Sequence, residues 1–280
     1  LGDVQSFELF DTWVREVGNI YRTFKNRRKN PRVVIADFLD KAYLPEFEEF
    51  VRRFKKFGYS AKICDIRKLR YADGVLCDAD GERVDIIYRR AVTVDIMAQY
   101  DECADFIAAY KDMAVCVLGA FRTQVIHHKA LFYILHSEET KRLLTPEENA
   151  LIEEHIPYTK RLSEVNLDKI CAEKDSYIIK PCDSYASRGV FAGVDFTADE
   201  WREKVTRYAA EDYIVQEYCT PYRTENIYLA ADDAVFKPYS NLTGLYIYAG
   251  SFAGVYSRLS DGGIISSQYN EKSTVSFVCN

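Results

Sequence analysis

Tyr177-Ile178-Ile179-Lys180-Pro181-Cys182-Asp183-Ser184-Tyr185-Ala186-Ser187-Arg188-Gly189-Val190-Phe191, followed further on by Tyr213-Ile214-Val215-Gln216-Glu217-Tyr218, is the most informative part of this chain. The apolar, β-branched runs at Tyr177–Ile179 and Tyr213–Val215 predict two strands, and Gly189-Val190-Phe191 predicts a third. Between them, Thr197-Ala198-Asp199-Glu200 is a capping box that opens a helix reaching to about Ala209. The first strand ends in Lys180-Pro181, and the loop after it is small and polar. A lysine at a strand end presents a compact charge suited to phosphate oxygens. Ser and Gly in such a loop let backbone N–H groups close on the same oxygens as a nest. A strand closing on Gln216-Glu217 offers hydrogen-bonding groups to an adenine amino group or a ribose hydroxyl. No G-x-x-x-x-G-K-[S/T] pattern occurs, so this is not a Walker A loop.

Upstream, residues 1–30 read as a helical segment, with Phe7, Phe10, Trp13, Val14, Val17 and Tyr21 close to a 3–4 spacing. Pro31 breaks that pattern. Residues 31–118 then alternate strand and helix: strand Val33–Ala36, helix Leu44–Phe57 stopped by Gly58, strand Ala61–Cys64, a hairpin of Val75–Cys77 with Val84–Tyr88 around Asp78-Ala79-Asp80-Gly81, helix Thr93–Tyr110, and strand Val115–Leu118. This order is that of a Rossmann-like α/β unit, without the G-x-G-x-x-G turn of a dinucleotide site. Helices are expected over Gln124–His136 and from the Thr145-Pro146-Glu147-Glu148 start signal to Ile156-Pro157. Downstream, Asn226–Leu229 reads as a strand, and a Tyr- and Gly-rich β meander follows Val235.

Composition narrows the function classes. The chain has 280 residues, 48% of them apolar, and a net charge of −6. Its pI is about 5.4 and its mean hydropathy −0.25. No apolar run approaches the ~20 residues of a membrane span. One dense basic run, Arg22 to Arg32, reads as a solvated connection on an acidic chain, so neither nucleic acid nor membrane is an expected partner. The eight cysteines form no C-x-x-C pair, and several sit in apolar runs. They read as reduced, buried thiols, which suits a cytoplasmic protein. His127-His128 reads as helix surface.

Ile178-Ile179-Lys180-Pro181, Ser187-Arg188-Gly189-Val190 and Ile214-Val215-Gln216-Glu217, in that order, resemble the nucleotide clamp of ATP-grasp proteins. Val84–Arg90, Phe121-Arg122-Thr123 with Lys129-Ala130-Leu131, Ile156–Thr159 and Gly254–Arg258 are similar to further segments of one subgroup, the circularly permuted ATP-grasp proteins that include glutathionylspermidine synthase-like enzymes. The resemblance runs from about Val33 to the C-terminus. It implies an α/β (α+β) ATP-grasp fold of permuted topology behind a Rossmann-like unit, with residues 119–280 as the nucleotide-binding domain and a lid over about 165–220. It implies ATP-dependent carboxylate–amine ligation through an acyl phosphate, on a small-molecule amine and carboxylate such as a peptide or polyamine. Lys129 and Lys180 would hold phosphates, Ser187, Arg188, Gly189 and Val190 would cover them, and Gln216, Glu217 and Tyr218 would line the adenosine pocket. Arg258 would stabilise the transferring phosphoryl group, and Arg89 or Arg90 would hold phosphate or the acyl substrate.

Two departures from the subgroup's pattern matter. Gly119 stands where its strand usually ends in Asn. The "R-x-D" and "E-x-N" pairs that would hold Mg²⁺ are absent, and in the permuted order they would lie upstream. With Leu rather than Met as first residue, the expectation is a C-terminal portion of a longer protein, inactive alone and with its metal ligands outside it. Asp85, Asp95 and Glu225 are the carboxylates that could stand in. The same departures also fit a non-catalytic ATP-grasp-like module that binds a nucleotide or a partner, and a plain α/β small-ligand binder is a third reading.

Overall fold

The structure, a computed structural model, describes residues 4–228, 235–262, 264–265 and 270–279. The chain divides into two compact units. The first comprises Leu1–Gln124 with Leu245–Gly254 and Cys279–Asn280, and the second Val125–Gly244 with Val255–Val278.

In the first unit the elements run β1 (Val4–Gln5), α1 (Leu9–Thr23), β2 (Arg32–Asp37), α2 (Leu44–Lys56), β3 (Ser60–Asp65), β4 (Arg70–Ala72), β5 (Val75–Cys77), β6 (Ile86–Arg89), α3 (Thr93–Ala98), α4 (Ala104–Lys111) and β7 (Cys116–Leu118). β2, β3, β6 and β7 form a parallel sheet in the order β3-β2-β6-β7. A parallel sheet is covered on both faces, and β2 shows it with four consecutive buried residues, Val33 to Ala36. Val33 and Ile35 pack with Val14, Val17, Phe47, Phe50 and Phe54 of α1 and α2. Val34 and Ala36 face the other way, toward Ile96, Phe106 and Ile107 of α3 and α4. Helix α2 stops where Gly58 adopts φ +82°, as a C′ glycine does.

Two expectations shift here. The helix expected over Thr93–Tyr110 is two, α3 and α4, separated by the turn at Gln99–Cys103. The hairpin partner of β5 is β4, turning at Asp73-Gly74; the expected partner instead joins the parallel sheet as β6, leaving one antiparallel bridge, Cys77 to Arg83. Asp85 explains the commitment of β6. Its buried carboxylate accepts from the Arg32 N–H at 2.9 Å and from Nε and Nη2 of Arg83, which pins the start of β6 beside the start of β2.

The second unit continues with α5 (Gln124–His127), α6 (Ala130–Leu135), α7 (Glu138–Lys141), α8 (Pro146–His155), β8 (Thr159–Arg161), α9 (Leu167–Ala172), β9 (Tyr177–Pro181), β10 (Phe191–Ala192), α10 (Ala198–Tyr208), β11 (Tyr213–Glu217), β12 (Tyr222–Tyr228), β13 (Val235–Tyr248), β14 (Ser251–Ser260), β15 (Lys272–Thr274) and β16 (Val278–Cys279). The tip of the β13–β14 hairpin falls in the first unit by the division above. Both expected capping boxes form, at Thr145/Glu148 and Thr197/Glu200. β8 to β11 make an antiparallel sheet in the order β10-β9-β11-β8, and β12 to β15 make a second in chain order. Leu229, the expected end of β12, lies outside the described residues. The first of these sheets carries α9 and α10 on one face: Ile179, Tyr213 and Val215 pack on Ile170, Cys171, Trp201 and Val205. Trp201 is fully buried and donates its Nε1–H to the Ile170 carbonyl at 3.1 Å. Gly193 is held to glycine by contact, since a Cβ there would lie 1.9 Å from the Lys174 carbonyl oxygen.

Among the described residues no helix is long and apolar enough to cross a membrane. Cys64, Cys77, Cys103, Cys116, Cys171, Cys182 and Cys219 are free thiols; Cys64, Cys103, Cys116, Cys171 and Cys182 are buried and Cys219 is exposed.

Candidate nucleotide site

Strand alternation builds the site. In the β9–β11 ladder Ile179 opposes Val215, Ile178 opposes Gln216 and Lys180 opposes Ile214. Residues opposite one another share a face, and neighbours along a strand do not. The face of Ile179 and Val215 belongs to the helices, so Ile178, Lys180 and Gln216 come out on the opposite face together. That face lines a cavity of about 600 Å³, within the usual range for small-molecule sites.

The polar floor of the cavity is an ordered chain of hydrogen bonds. Lys180 Nζ donates to Gln216 Oε1 at 2.6 Å, and Gln216 Nε2 donates to Thr159 Oγ1 at 2.9 Å. The Thr159 hydroxyl donates in turn to the Pro157 carbonyl at 2.8 Å. Gln216 is 6% exposed and Thr159 fully buried, so these groups are committed to each other. Lys129 enters from a second element. Its N–H donates to the Cys182 carbonyl and its Nζ to the Ser184 carbonyl, each at 2.8 Å. The helix expected over Gln124–His136 is thereby interrupted at His128-Lys129, between α5 and α6.

The electrostatics suit an anion. Burial pushes the Lys180 ammonium below its ordinary pKa, and the positive charge of Lys129 pushes it further the same way. Burial also lowers Lys129, with the Asp183 carboxylate offsetting part of the effect. What Lys180 holds is a neutral amide oxygen. A phosphate placed between the two ammonium groups would relieve both effects at once.

The loop after β9 wraps the same cavity. Ala186 and Ser187 hold φ +55° and +58°, and Gly189 +71°. Two non-glycine residues in the left-handed region are uncommon, and such strain gathers at ligand clamps. Internal bonds hold the loop in this shape: Ser184 Oγ to the Arg188 carbonyl at 3.1 Å, and the Val190 N–H to the Ser187 carbonyl at 3.3 Å. The Arg188 guanidinium lies over the Tyr185 ring at 4.8 Å. Beyond Gln216, the Glu217 and Tyr218 N–H groups donate to the Tyr158 and Ser176 carbonyls, both at 2.9 Å.

Of the sequence candidates, Lys129, Lys180, Ser187, Arg188, Val190, Gln216, Glu217 and Tyr218 line this one cavity, and Gly189 sits in the loop between them. Arg258 is not among the lining residues. It pairs with Glu271 at 3.3 Å, and its Nε is buried without a partner among the described residues. Arg89 and Arg90 belong to the first unit. Arg89 donates to the Gly119 and Ala91 carbonyls. Arg90 donates to Glu46 at 3.0 Å and to the Tyr88 hydroxyl at 3.2 Å. Sequence reasoning missed Asn241, Leu242, Ile264 and Ile265, which also line the cavity. They lie in the β meander and carry no local pattern that marks them.

The two ammonium groups of the cavity, Lys129 and Lys180, have the charge an anion would need, and the described residues offer no cluster of metal ligands. Among the described residues no three His, Cys, Asp or Glu side chains converge on one point. Asp85 is occupied by Arg83 and the Arg32 N–H, and Asp95 lies 3.8 Å from Lys41.

No family model and no curated protein matches this sequence. Solved structures do match it in shape. The chain is similar to a glutathione synthetase-like effector from Globodera pallida in its apo form, with 10% identity and a TM-score of 0.58 over 97% of this chain. It spans 60% of that protein's chain. It is also similar to the ATP-grasp ligase PsnB complexed with a minimal precursor, with 11% identity and a TM-score of 0.53 over 90% of this chain and 78% of the other. At such identities the likeness speaks for the backbone alone, and the backbone of this chain has the ATP-grasp fold.

Proposed function

We propose that this chain is the nucleotide-binding portion of an ATP-dependent carboxylate–amine ligase. The observation that carries the reading is the convergence of Lys129, Lys180 and Gln216 under a left-handed loop in one cavity of nucleotide size. In this reading residues 119–280 form the ATP-grasp domain, with a lid over about 165–220. Lys129 and Lys180 hold phosphate oxygens, and Ser187 to Val190 cover them. Gln216, Glu217 and Tyr218, with Ile178 and Leu242, receive the adenosine. The substrate carboxylate attacks the γ-phosphorus to give an acyl phosphate, and an amine displaces phosphate to leave an amide. The protein's part is positioning and charge stabilisation. Arg258 is the residue proposed to meet the transferring phosphoryl group, which would require it to leave Glu271, since it lies outside the cavity lining. Arg90, and Arg89 to a lesser degree because its donors are spent on carbonyls, would serve the acyl substrate.

Membership of the glutathionylspermidine synthase-like subgroup, the permuted order and Mg²⁺ belong to the same proposal. An Arg-x-Asp and a Glu-x-Asn encoded ahead of Leu1 would supply the metal ligands, and a full-length sequence without them removes this part. A cytoplasmic site of action is also proposed, on the strength of the free, buried thiols.

The test is thermal unfolding with and without ATP. A nucleotide at 100–1,000 times its dissociation constant raises stability by roughly 2–4 kcal/mol, and Lys180→Ala should abolish that gain. No stabilisation by ATP overturns the reading. The second reading, a non-catalytic nucleotide-binding module, is favoured by the lack of a carboxylate cluster among the described residues. ATP binding by the full-length protein without phosphate release, over a panel of amines and carboxylates, would establish it instead.

A further inference from the structure

The first unit holds a cavity of about 210 Å³, lined by aromatic rings and by an ion pair. Trp13 of α1 lies 5.4 Å from Tyr88 and 5.2 Å from Tyr248, ring centroid to ring centroid. Phe50 of α2 meets Tyr88 edge-on at 5.1 Å and Phe10 at 4.9 Å. The charged pair of the lining is Arg90 with Glu46, at 3.0 Å.

Three features give this cavity the character of a binding site. First, it sits where an open parallel sheet binds ligands. The strand order β3-β2-β6-β7 reverses direction between β2 and β6, and ligands of such sheets lodge at the carboxyl ends of the strands beside that switch point. Arg90 follows β6 there, with its N–H on the Ala36 carbonyl of β2 at 2.8 Å. Second, the lining sets one guanidinium and one carboxylate, Arg90 and Glu46, among its aromatic rings. Third, the space is about seven waters in size, enough for one ring and too small for a nucleotide.

We propose that this cavity binds a free α-amino acid with an aromatic side chain. The rings would take the side chain, Arg90 the carboxylate and Glu46 the ammonium. The charge balance selects the zwitterion. An aromatic cage for a quaternary ammonium needs no guanidinium, and a site for a plain carboxylate gains nothing from Glu46. As a binding site the assignment is independent of ATP; as a substrate site it rests on the ligase reading.

Calorimetric titration of the full chain without nucleotide tests it, using L-phenylalanine, phenethylamine, 3-phenylpropionate, L-alanine and choline. L-Phenylalanine is expected to saturate one site, with each compound lacking a charge or the ring at least ten-fold weaker. Glu46→Gln should close the gap between phenylalanine and phenylpropionate, and Arg90→Gln the gap between phenylalanine and phenethylamine. Should either variant fail to fold, the five ligands on the unaltered chain decide. Absence of saturable phenylalanine binding, equal binding of L-alanine, or tighter binding of choline would each overturn the proposal. Because no nucleotide is present, these outcomes are separate from the fate of the ATP reading.

Discussion

Lys180 donates to Oε1 of Gln216 at 2.6 Å, and that contact sets the direction of every hydrogen bond behind it. An ammonium has only donors, so the amide oxygen must face it. The amide nitrogen then faces Thr159 Oγ1, and the threonine hydroxyl is left to donate to the Pro157 carbonyl. Gln216 therefore holds the lysine in place without neutralising it, which leaves the charge available to a phosphate. Gln216→Glu should reverse this. A carboxylate of nearly the same shape would take the ammonium in a charge-assisted bond, worth about 1.5–3 kcal/mol, and put a negative charge beside the phosphate. The expected result is ATP affinity lower by about 10- to 100-fold, with a folded protein by circular dichroism. Unchanged ATP affinity in this variant would show that Lys180 is not a phosphate ligand.

The depressed lysines make nucleotide binding depend on pH in a definite direction. Both Lys180 and Lys129 lie below the ordinary lysine value of 10.5 in the folded protein. Between the depressed values and 10.5 the unfolded chain binds more protons than the folded one, so the ligand-free protein gains stability as pH rises through that window. Phosphate favours the charged lysines, so binding takes up protons. ATP affinity should consequently fall as pH rises through the same window, starting below 10.5. Lys180→Arg keeps its charge throughout and should flatten the profile. Calorimetry in buffers of different ionisation enthalpy measures the proton uptake directly, and zero uptake across the window would contradict the assignment.

How far the sequence could carry this reading depended on how local each feature is. The strands around Lys180 and Gln216 were legible because period-2 burial follows from the residues themselves, and the segment between them was legible as a small, polar loop. The placement of Lys129 was not. Its run looks like one helix from Gln124 to His136, and the break at His128-Lys129 is where the Lys129 N–H bonds the Cys182 carbonyl far along the chain. The same holds for Asn241, Leu242, Ile264 and Ile265, which reach the cavity only through the second sheet. In the α/β unit the failure was of a different kind. Val84 to Tyr88 carries a good hairpin pattern, but Asp85 ties β6 to β2, and a buried parallel strand gains more cover than an edge hairpin would.

Gly189 and Gly58 test whether the loop's shape matters for binding or only for stability. Both hold positive φ, +71° and +82°. A Cβ at Gly58 would meet nothing within 4 Å, so Gly58→Ala should cost only the left-handed backbone strain, roughly 1–2 kcal/mol. A Cβ at Gly189 would lie 2.6 Å from the Tyr213 hydroxyl. That ring cannot swing aside, since Tyr213 is buried and stacked on Tyr208 at 4.4 Å. The loop itself must move, carrying Ser187, Arg188 and Val190 away from the cavity. Gly189→Ala is thus expected to lose most of the stabilisation by ATP, whereas Gly58→Ala lowers the baseline melting temperature and keeps the ATP-induced shift intact. Equal ATP-induced shifts in the two variants would mean that the loop does not cover the phosphates.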